Sequence, residues 1–299
     1  MSKRKPIKKR LCPERMEKLA QIRGSKFRRP KNNYIWISKQ EYRELFEVRK
    51  NKRLFFDIET SPNVVFSWRT GYNLNIGHDN IINERAIICI SYKWEGEDVV
   101  NTLVWDKNQC DKKLLEKFVT IANEADELVA HNGDRYDIRW LRTRCLYHRI
   151  PAFPTYKSLD TLKKAKSRFS FNSNKLDYIA KFLGLGGKMD TGGFTLWTDI
   201  VLHKSKEALK KMVEYCERDV VLLEDVYRTL SPYIEHNTHM GVLNGGEKHS
   251  CPECGADESV LVKTIVTKAG TVQRLMHCPI CDKVYKISNR DYQKKVLNV

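Results

Sequence analysis

The sequence predicts an α/β protein: a mixed β-sheet flanked by helices, a small cysteine-rich module at the C-terminal end and a basic arm at the N-terminal end. Three observations carry this. Runs of β-branched and aromatic residues give way to amphipathic helical stretches through the middle of the chain. Two Cys-x-x-Cys pairs, Cys251/Cys254 and Cys278/Cys281, stand near the end. The net charge of +17 on 299 residues is unevenly spread. Residues 1–53 hold 19 basic and 5 acidic side chains, residues 54–245 hold 26 of each, and residues 246–299 hold 9 and 6. The expected divisions are therefore an arm over 1–52, a body over 53–240 and a module over 246–299.

With 41% hydrophobic residues the chain can bury a core. No stretch reaches the roughly 20 apolar residues of a membrane span. The start of the chain lacks the apolar run of a secretory signal. A polyanionic partner, nucleic acid above all, is what the charge calls for.

In the arm, Ser38-Lys39-Gln40-Glu41 is a capping box that starts a helix to about Lys50, and Arg15–Ile22 is compatible with a shorter one. The runs Lys3-Arg4-Lys5 and Lys8-Lys9-Arg10 match a basic localisation signal. The arm is expected to contact phosphates.

In the body, Arg53–Glu59, Asn63–Arg69, Ala86–Trp94 and Val99–Trp105 read as consecutive antiparallel strands. Asp111 to about Ala125 is helical, with Leu114, Leu115, Phe118, Val119 and Ile121 on its apolar face. Leu128-Val129-Ala130 is a short buried strand. Helices follow at about Arg135–Tyr147 and Lys175–Leu183. The segment Gly184–Gly193 holds five glycines and reads as a loop. It is not a phosphate-binding P-loop, because Met189 follows the Gly-Lys where Ser or Thr is required. A long helix spans about Lys206–Tyr233.

The cysteines separate into two sets. Cys12, Cys89, Cys110, Cys145 and Cys216 are scattered, which argues for free thiols in a reducing compartment. That means cytoplasm or nucleoid, or the nucleus of a eukaryote. Cys251, Cys254, Cys278 and Cys281 sit as two pairs with 23 residues between them. A hairpin of Val260–Val266, a turn at Ala269-Gly270 and Thr271–Met276 fills the gap. Two tight turns of this kind complete a tetrahedron of thiolates, so one structural Zn²⁺ is expected. The segment resembles a zinc ribbon, which would bind nucleic acid or a partner protein.

The acids of the body carry the chemistry. Asp57 and Glu59 are two apart at the end of an apolar strand and share a face. Alone, the pair is equally compatible with an exposed strand end. His131-Asn132-Gly133-Asp134-Arg135-Tyr136-Asp137 follows a buried strand, where active-site loops of α/β folds collect. Asp134 reads as a helix N-cap, and Asp137 falls in the first turn, where it also complements the helix dipole. Tyr215 and Asp219 are i and i+4 on the long helix, among apolar neighbours.

These three segments together resemble the DEDD superfamily of 3′–5′ exonucleases. That family has an RNase H-like fold, and the tyrosine form of the third motif is similar to the proofreading domains of family B DNA polymerases. The likeness covers about residues 52–235, including Asp160-Thr161-Leu162 and Lys175–Gly184. It implies that Asp57, Glu59, Asp137 and Asp219 hold two Mg²⁺ or Mn²⁺ ions, with Asp57 bridging them. It implies that Tyr215 orients the attacking water and that Thr60 and Asn132 contact the terminal nucleotide. The implied reaction is phosphodiester hydrolysis from a 3′ end, releasing nucleoside 5′-monophosphates. Single-stranded 3′ ends are the expected substrate, DNA ahead of RNA. A structure-selective or RNase H-type endonuclease on the same fold is the alternative, followed by a non-catalytic nucleic-acid-binding protein. Arg139, Arg142 and Arg144 are expected to balance the acids elsewhere on the body.

Overall fold

The structure is a computed structural model. It describes residues 7–10, 13–24, 34–45, 52–71, 73–151, 156–187, 192–235, 238–243 and 245–297. Cys12, Met189, the Lys3–Lys5 run and the expected end of the arm helix at Lys50 lie outside the described residues. The chain divides into two compact units: Lys52–Ile234, and a second made of Met1–Asn51 with Glu235–Val299.

The N-terminal part of the second unit holds β1 (Ile7–Arg10), α1 (Pro13–Ile22), β2 (Tyr34–Ile37) and α2 (Lys39–Leu45), with β1 and β2 antiparallel. The capping box forms as expected. Glu41 N–H donates to Ser38 Oγ (3.1 Å) and Ser38 N–H to Glu41 Oε2 (2.6 Å).

The large unit is built on β3 (Arg53–Thr60), β6 (Ile87–Trp94), β7 (Asn101–Val104), β8 (Glu127–Ala130) and β9 (Ser158–Asp160), in the order β7-β6-β3-β8-β9. The pairs β7–β6 and β6–β3 are antiparallel, whereas β3–β8 and β8–β9 are parallel. This is the mixed sheet expected from the pattern. Asn63–Arg69 does not join it. Only Val64–Val65 (β4) is extended, and it pairs with Ile81–Asn83 (β5) in a separate hairpin. Val64 and Val65 are half-buried, whereas Phe66 and Trp68 beyond them are exposed.

Helices cover both faces: α3 (Lys112–Asn123), α4 (Asp137–His148), α5 (Thr161–Arg168), α6 (Leu176–Phe182), α7 (Thr195–Val201) and α8 (Lys206–Leu230). The period of two along β3 decides which residue meets which layer. Phe56 turns to α3 and meets Phe118, with ring centroids 5.3 Å apart. Phe55 turns to α8 and meets Tyr227 edge-on at 5.2 Å. Asp57 and Glu59 continue the Phe55 face. A buried ion pair, Lys93 Nζ to Glu224 Oε2 at 2.6 Å, fastens α8 to β6. Ser205 caps α8 by accepting Ala208 N–H.

The C-terminal part of the second unit has α9 (Met240–Leu243), an antiparallel sheet of β10 (Val260–Val266), β11 (Val272–His277) and β12 (Val284–Ser288), and α10 (Asn289–Leu297). The hairpin β10–β11 was expected; β12 and α10 were not. The arm and the module, separate in the sequence pattern, share one apolar core here. Met16, Leu19, Ile37, Tyr42 and Leu45 are buried with Met276, Ile280, Tyr285 and Ile287. Their apolar spacing is hidden among basic residues, which is why charge alone suggests a free arm. Among the described residues, no helix is long and apolar enough to cross a membrane.

Candidate active site

Strand β3 delivers Asp57 and Glu59 to one face of the sheet, and α8 crosses that face. One turn beyond Tyr215, α8 places Asp219, which is 2% exposed. Carboxylate oxygens of Asp57, Glu59 and Asp219 all lie within 4.8 Å of one another. Tyr215 is half-buried against the core beside them.

Asp137 falls outside that radius and is held by a different contact. The last parallel pair between β3 and β8 is Phe55 with Val129, so β3 outruns its neighbour. Beyond that point Ile58 N–H, lying between Asp57 and Glu59, donates to Asp137 Oδ1 at 3.2 Å. The carboxylate at the start of α4 thus occupies the place of a missing strand. Asp137 is buried.

The turn before α4 is tightly specified. Asn132 is left-handed, at φ 69°, and its N–H donates to Asp160 Oδ1 at 3.0 Å. At Gly133 a Cβ would collide with the Ala130 side chain, so no larger residue fits without a shift. Asp134 does not cap α4. It accepts from Ser158 Oγ and from Lys163 Nζ, both at 2.6 Å. The cap among these acids is Asp160, which accepts Leu162 and Lys163 N–H at the start of α5. Thr60 is buried and doubly held. Its Oγ1 lies 2.7 Å from Tyr136 Oη, and its carbonyl accepts Trp197 Nε1–H at 3.1 Å. The sequence pattern singles out neither Trp197 nor α7; the signal was an indole N–H in need of an acceptor.

Beneath the acids lies Cys216. Its Sγ is 3.5 Å from the Asp57 carbonyl and 3.7 Å from Asp57 Oδ2. Burial, then Cys89, then the charges of Asp57 and Glu59 push this thiol well above its ordinary range. It is a neutral donor under a negatively charged floor.

Three acids gathered so closely, one fully buried, repel each other unless a cation compensates. An all-oxygen donor set suits Mg²⁺ or Mn²⁺. The four cysteines form a second donor set in the other unit. Sγ atoms of Cys251 and Cys281 are 3.5 Å apart, and those of Cys254 and Cys278 are 3.6 Å apart. Those separations are close to the ~3.8 Å edge of a tetrahedron built on Zn–S bonds of ~2.3 Å. Each pair closes the same way: the residue after its second cysteine, Gly255 or Asp282, is left-handed at φ 72° or 63° and donates its N–H to Cys251 O or Cys278 O. Hydrogen bonds from Cys251, Cys254 and Cys281 hold the Cys278 thiol below its ordinary value, while the other three thiols are pushed up. Four thiols in one pocket cannot all ionise without a cation, and the donor set fits zinc.

A third group, Cys110, Asp111 and His148, is already satisfied. Asp111 accepts from Arg144 Nε and Nη2 (2.7 and 2.8 Å), lies 2.6 Å from His148 Nε2 and accepts Ile87 N–H at 2.9 Å. Arg144 is therefore a buried structural cation and does not face solvent with Arg139 and Arg142.

A family model described as RNase_H superfamily matches residues 74–231, which begin after Asp57 and Glu59. Among solved structures, the chain is similar to the family B DNA polymerase from the hyperthermophilic archaeon Pyrobaculum calidifontis, at 14% identity and a TM-score of 0.48. That match covers 62% of this chain and 25% of the polymerase chain. None of the curated proteins matches. The family match takes in more than half of the 299 residues, and the chain belongs to the RNase_H superfamily.

Proposed function

We propose that this chain is a metal-dependent 3′–5′ exonuclease acting on single-stranded nucleic acid. Membership of the RNase_H superfamily supports a nuclease. The single observation that carries the finer reading is the convergence of Asp57, Glu59 and Asp219 within 4.8 Å, with Tyr215 one helical turn from Asp219.

In this reading Asp57, Glu59 and Asp219 would hold divalent cations, with Asp137, which accepts Ile58 N–H, as the fourth ligand. Bound cations supply Lewis-acid polarisation of the phosphate and a more acidic water. The residues of the chain do the rest. Tyr215 orients the water. Thr60, fixed by Tyr136 and Trp197, and Asn132, fixed by Asp160, position the terminal nucleotide. The neutral Cys216 thiol keeps the Asp57 side chain in place. In the other unit, Cys251, Cys254, Cys278 and Cys281 hold a structural zinc.

The test is a panel of labelled substrates in Mg²⁺ and in Mn²⁺, including linear and circular single strands. Linear strands should shorten from the 3′ end with release of 5′-mononucleotides, and the circle should survive. Opening of the circle would instead support an endonuclease. Asp57→Ala and Asp219→Ala should abolish turnover while the folded protein still binds. Undiminished turnover by purified Asp57→Ala rules the reading out.

A further inference from the structure

The segment from α5 to α6 carries a feature the catalytic reading does not use. Between residues 161 and 183 stand six basic side chains, and Asp177 is the one acid. Lys163, Lys166, Arg168, Lys175 and Lys181 are exposed. Through this basic surface runs a chain of five aromatic rings. Tyr233 meets Phe169 at 6.0 Å, Phe169 meets Phe171 at 5.3 Å, Phe171 meets Phe182 at 5.4 Å, and Phe182 stacks with Tyr178 at 6.4 Å. Phe169 and Phe171 pack on the core beneath. Phe182 and Tyr233 are 66% and 70% exposed, so much of each ring is in water.

This surface is stitched to the site. Asp160, which caps α5, is the group that holds Asn132 N–H. His131, next to Asn132, places Nδ1 2.9 Å from Thr161 Oγ1 at the start of α5 and Nε2 2.9 Å from the Asn174 carbonyl just before α6. The start of α5 and the loop just before α6 are therefore both fixed to the turn that leads into Asp137.

We infer that the α5–α6 surface is a track for single-stranded nucleic acid, which the exposed rings grip by base stacking and the lysines by phosphate contact. The inference deepens the exonuclease reading and rests on it for the direction of the strand. Lysines alone fit any polyanion. Exposed rings among them select unpaired bases, because a duplex buries its base faces. The rings tolerate any base sequence, as an exonuclease that moves along its substrate requires.

Two variants separate the contributions: Phe182→Ala/Tyr233→Ala and Lys166→Glu/Lys175→Glu. Binding of a fluorescent single-stranded oligonucleotide is measured by anisotropy on the full chain, without Mg²⁺ or Mn²⁺ and without chelator. Turnover of a small chromogenic nucleotide phosphodiester in Mn²⁺ reads the acid cluster independently. Circular dichroism confirms folding. The ring variant should bind the single strand roughly 5- to 100-fold more weakly and a blunt duplex unchanged. The charge variant should lower the magnitude of the log–log salt slope by roughly 0.7 for each phosphate it no longer neutralises. Both should turn over the small diester like the parent. Parental affinity for the oligonucleotide in both variants overturns the inference. So does equal weakening on single strand and duplex by the ring variant. A parent without nuclease activity whose oligonucleotide binding still depends on the rings defeats the catalytic reading and leaves the track standing.

Discussion

Ile58 N–H donates to the Asp137 carboxylate at 3.2 Å, and this bond ties the start of α4 to the strand between Asp57 and Glu59. Asp137 thus serves the fold and the proposed chemistry at once, and two substitutions separate these roles. Asp137→Asn keeps an acceptor for Ile58 and removes the charge. It should melt close to the parent, with turnover lower by roughly 100-fold or more. Asp137→Ala also leaves a buried N–H unmet, at a further cost of about 1–3 kcal/mol. Urea unfolding beside a nuclease assay reads both. Full turnover by the Asn variant would remove Asp137 from the metal ligands.

Asp111 and Arg144 are the buried ion pair under α3 and α4. Asp111→Ala strands the guanidinium and should destabilise the large unit by about 3–5 kcal/mol. Burial alone would raise the Asp111 carboxyl, but Arg144, the Ile87 amide and His148 outweigh it and hold it low. A carboxyl lowered by folding stabilises the fold above its ordinary pKa of about 3.9 and loses that contribution as the pH falls further. Denaturation midpoints of the parent should therefore fall with acid below that point. Those of Asp111→Asn should fall less steeply.

Glu41 gives a milder version in the other unit. The hydrogen bond from Arg23, at 2.5 Å, and the Ser38 bonds lower it from 4.5 to about 2. Its contribution is present above pH 4.5 and disappears as the pH falls toward 2. Because the Arg23 side chain is 35% exposed, solvent screens the pair, which contributes at most about 1 kcal/mol. Glu41→Gln should flatten the acid limb of an arm-probe signal, such as Trp36 fluorescence, over that interval. An identical limb would show that Arg23 and Glu41 do not pair in solution.

Removing zinc should act on the same unit. Elemental analysis should find one zinc per chain in the parent and almost none in Cys278→Ser. The thermal midpoint of this unit should drop in the variant, and prolonged chelation should reproduce the loss. Zinc content unaffected by the substitution would contradict a four-cysteine site.

Much of this architecture was legible in the residue order. Phe55, Asp57 and Glu59 alternate with Phe56 and Ile58, so the shared face of the two acids follows from the period of a strand. Tyr215, Asp219 and the apolar residues around them follow the period of a helix. What escaped depends on neighbours far along the chain. The bond from Ile58 to Asp137 exists because β8 stops short, and no local pattern reports where a partner strand ends. β9 has three residues, and α5 and α7 have eight and seven, too short for a clear periodicity. Asp134 looks like a cap from its position; Asp160 is the residue that caps, because a strand delivers it to the start of α5.

The second unit takes its core from both ends of the chain: Met16 and Leu19 from one side, Ile280 and Ile287 from the other. On a ribosome these halves emerge far apart in time. The whole of Lys52–Ile234 is synthesised before Ile287 appears, so the large unit can fold while the first fifty residues still await their counterpart. Until then Met16 and Leu19 lack the C-terminal side chains they pack against in the folded unit. Cutting away the N-terminal segment to probe its charge would also open the core around the cysteines. Charge reversal within its basic runs is the cleaner experiment.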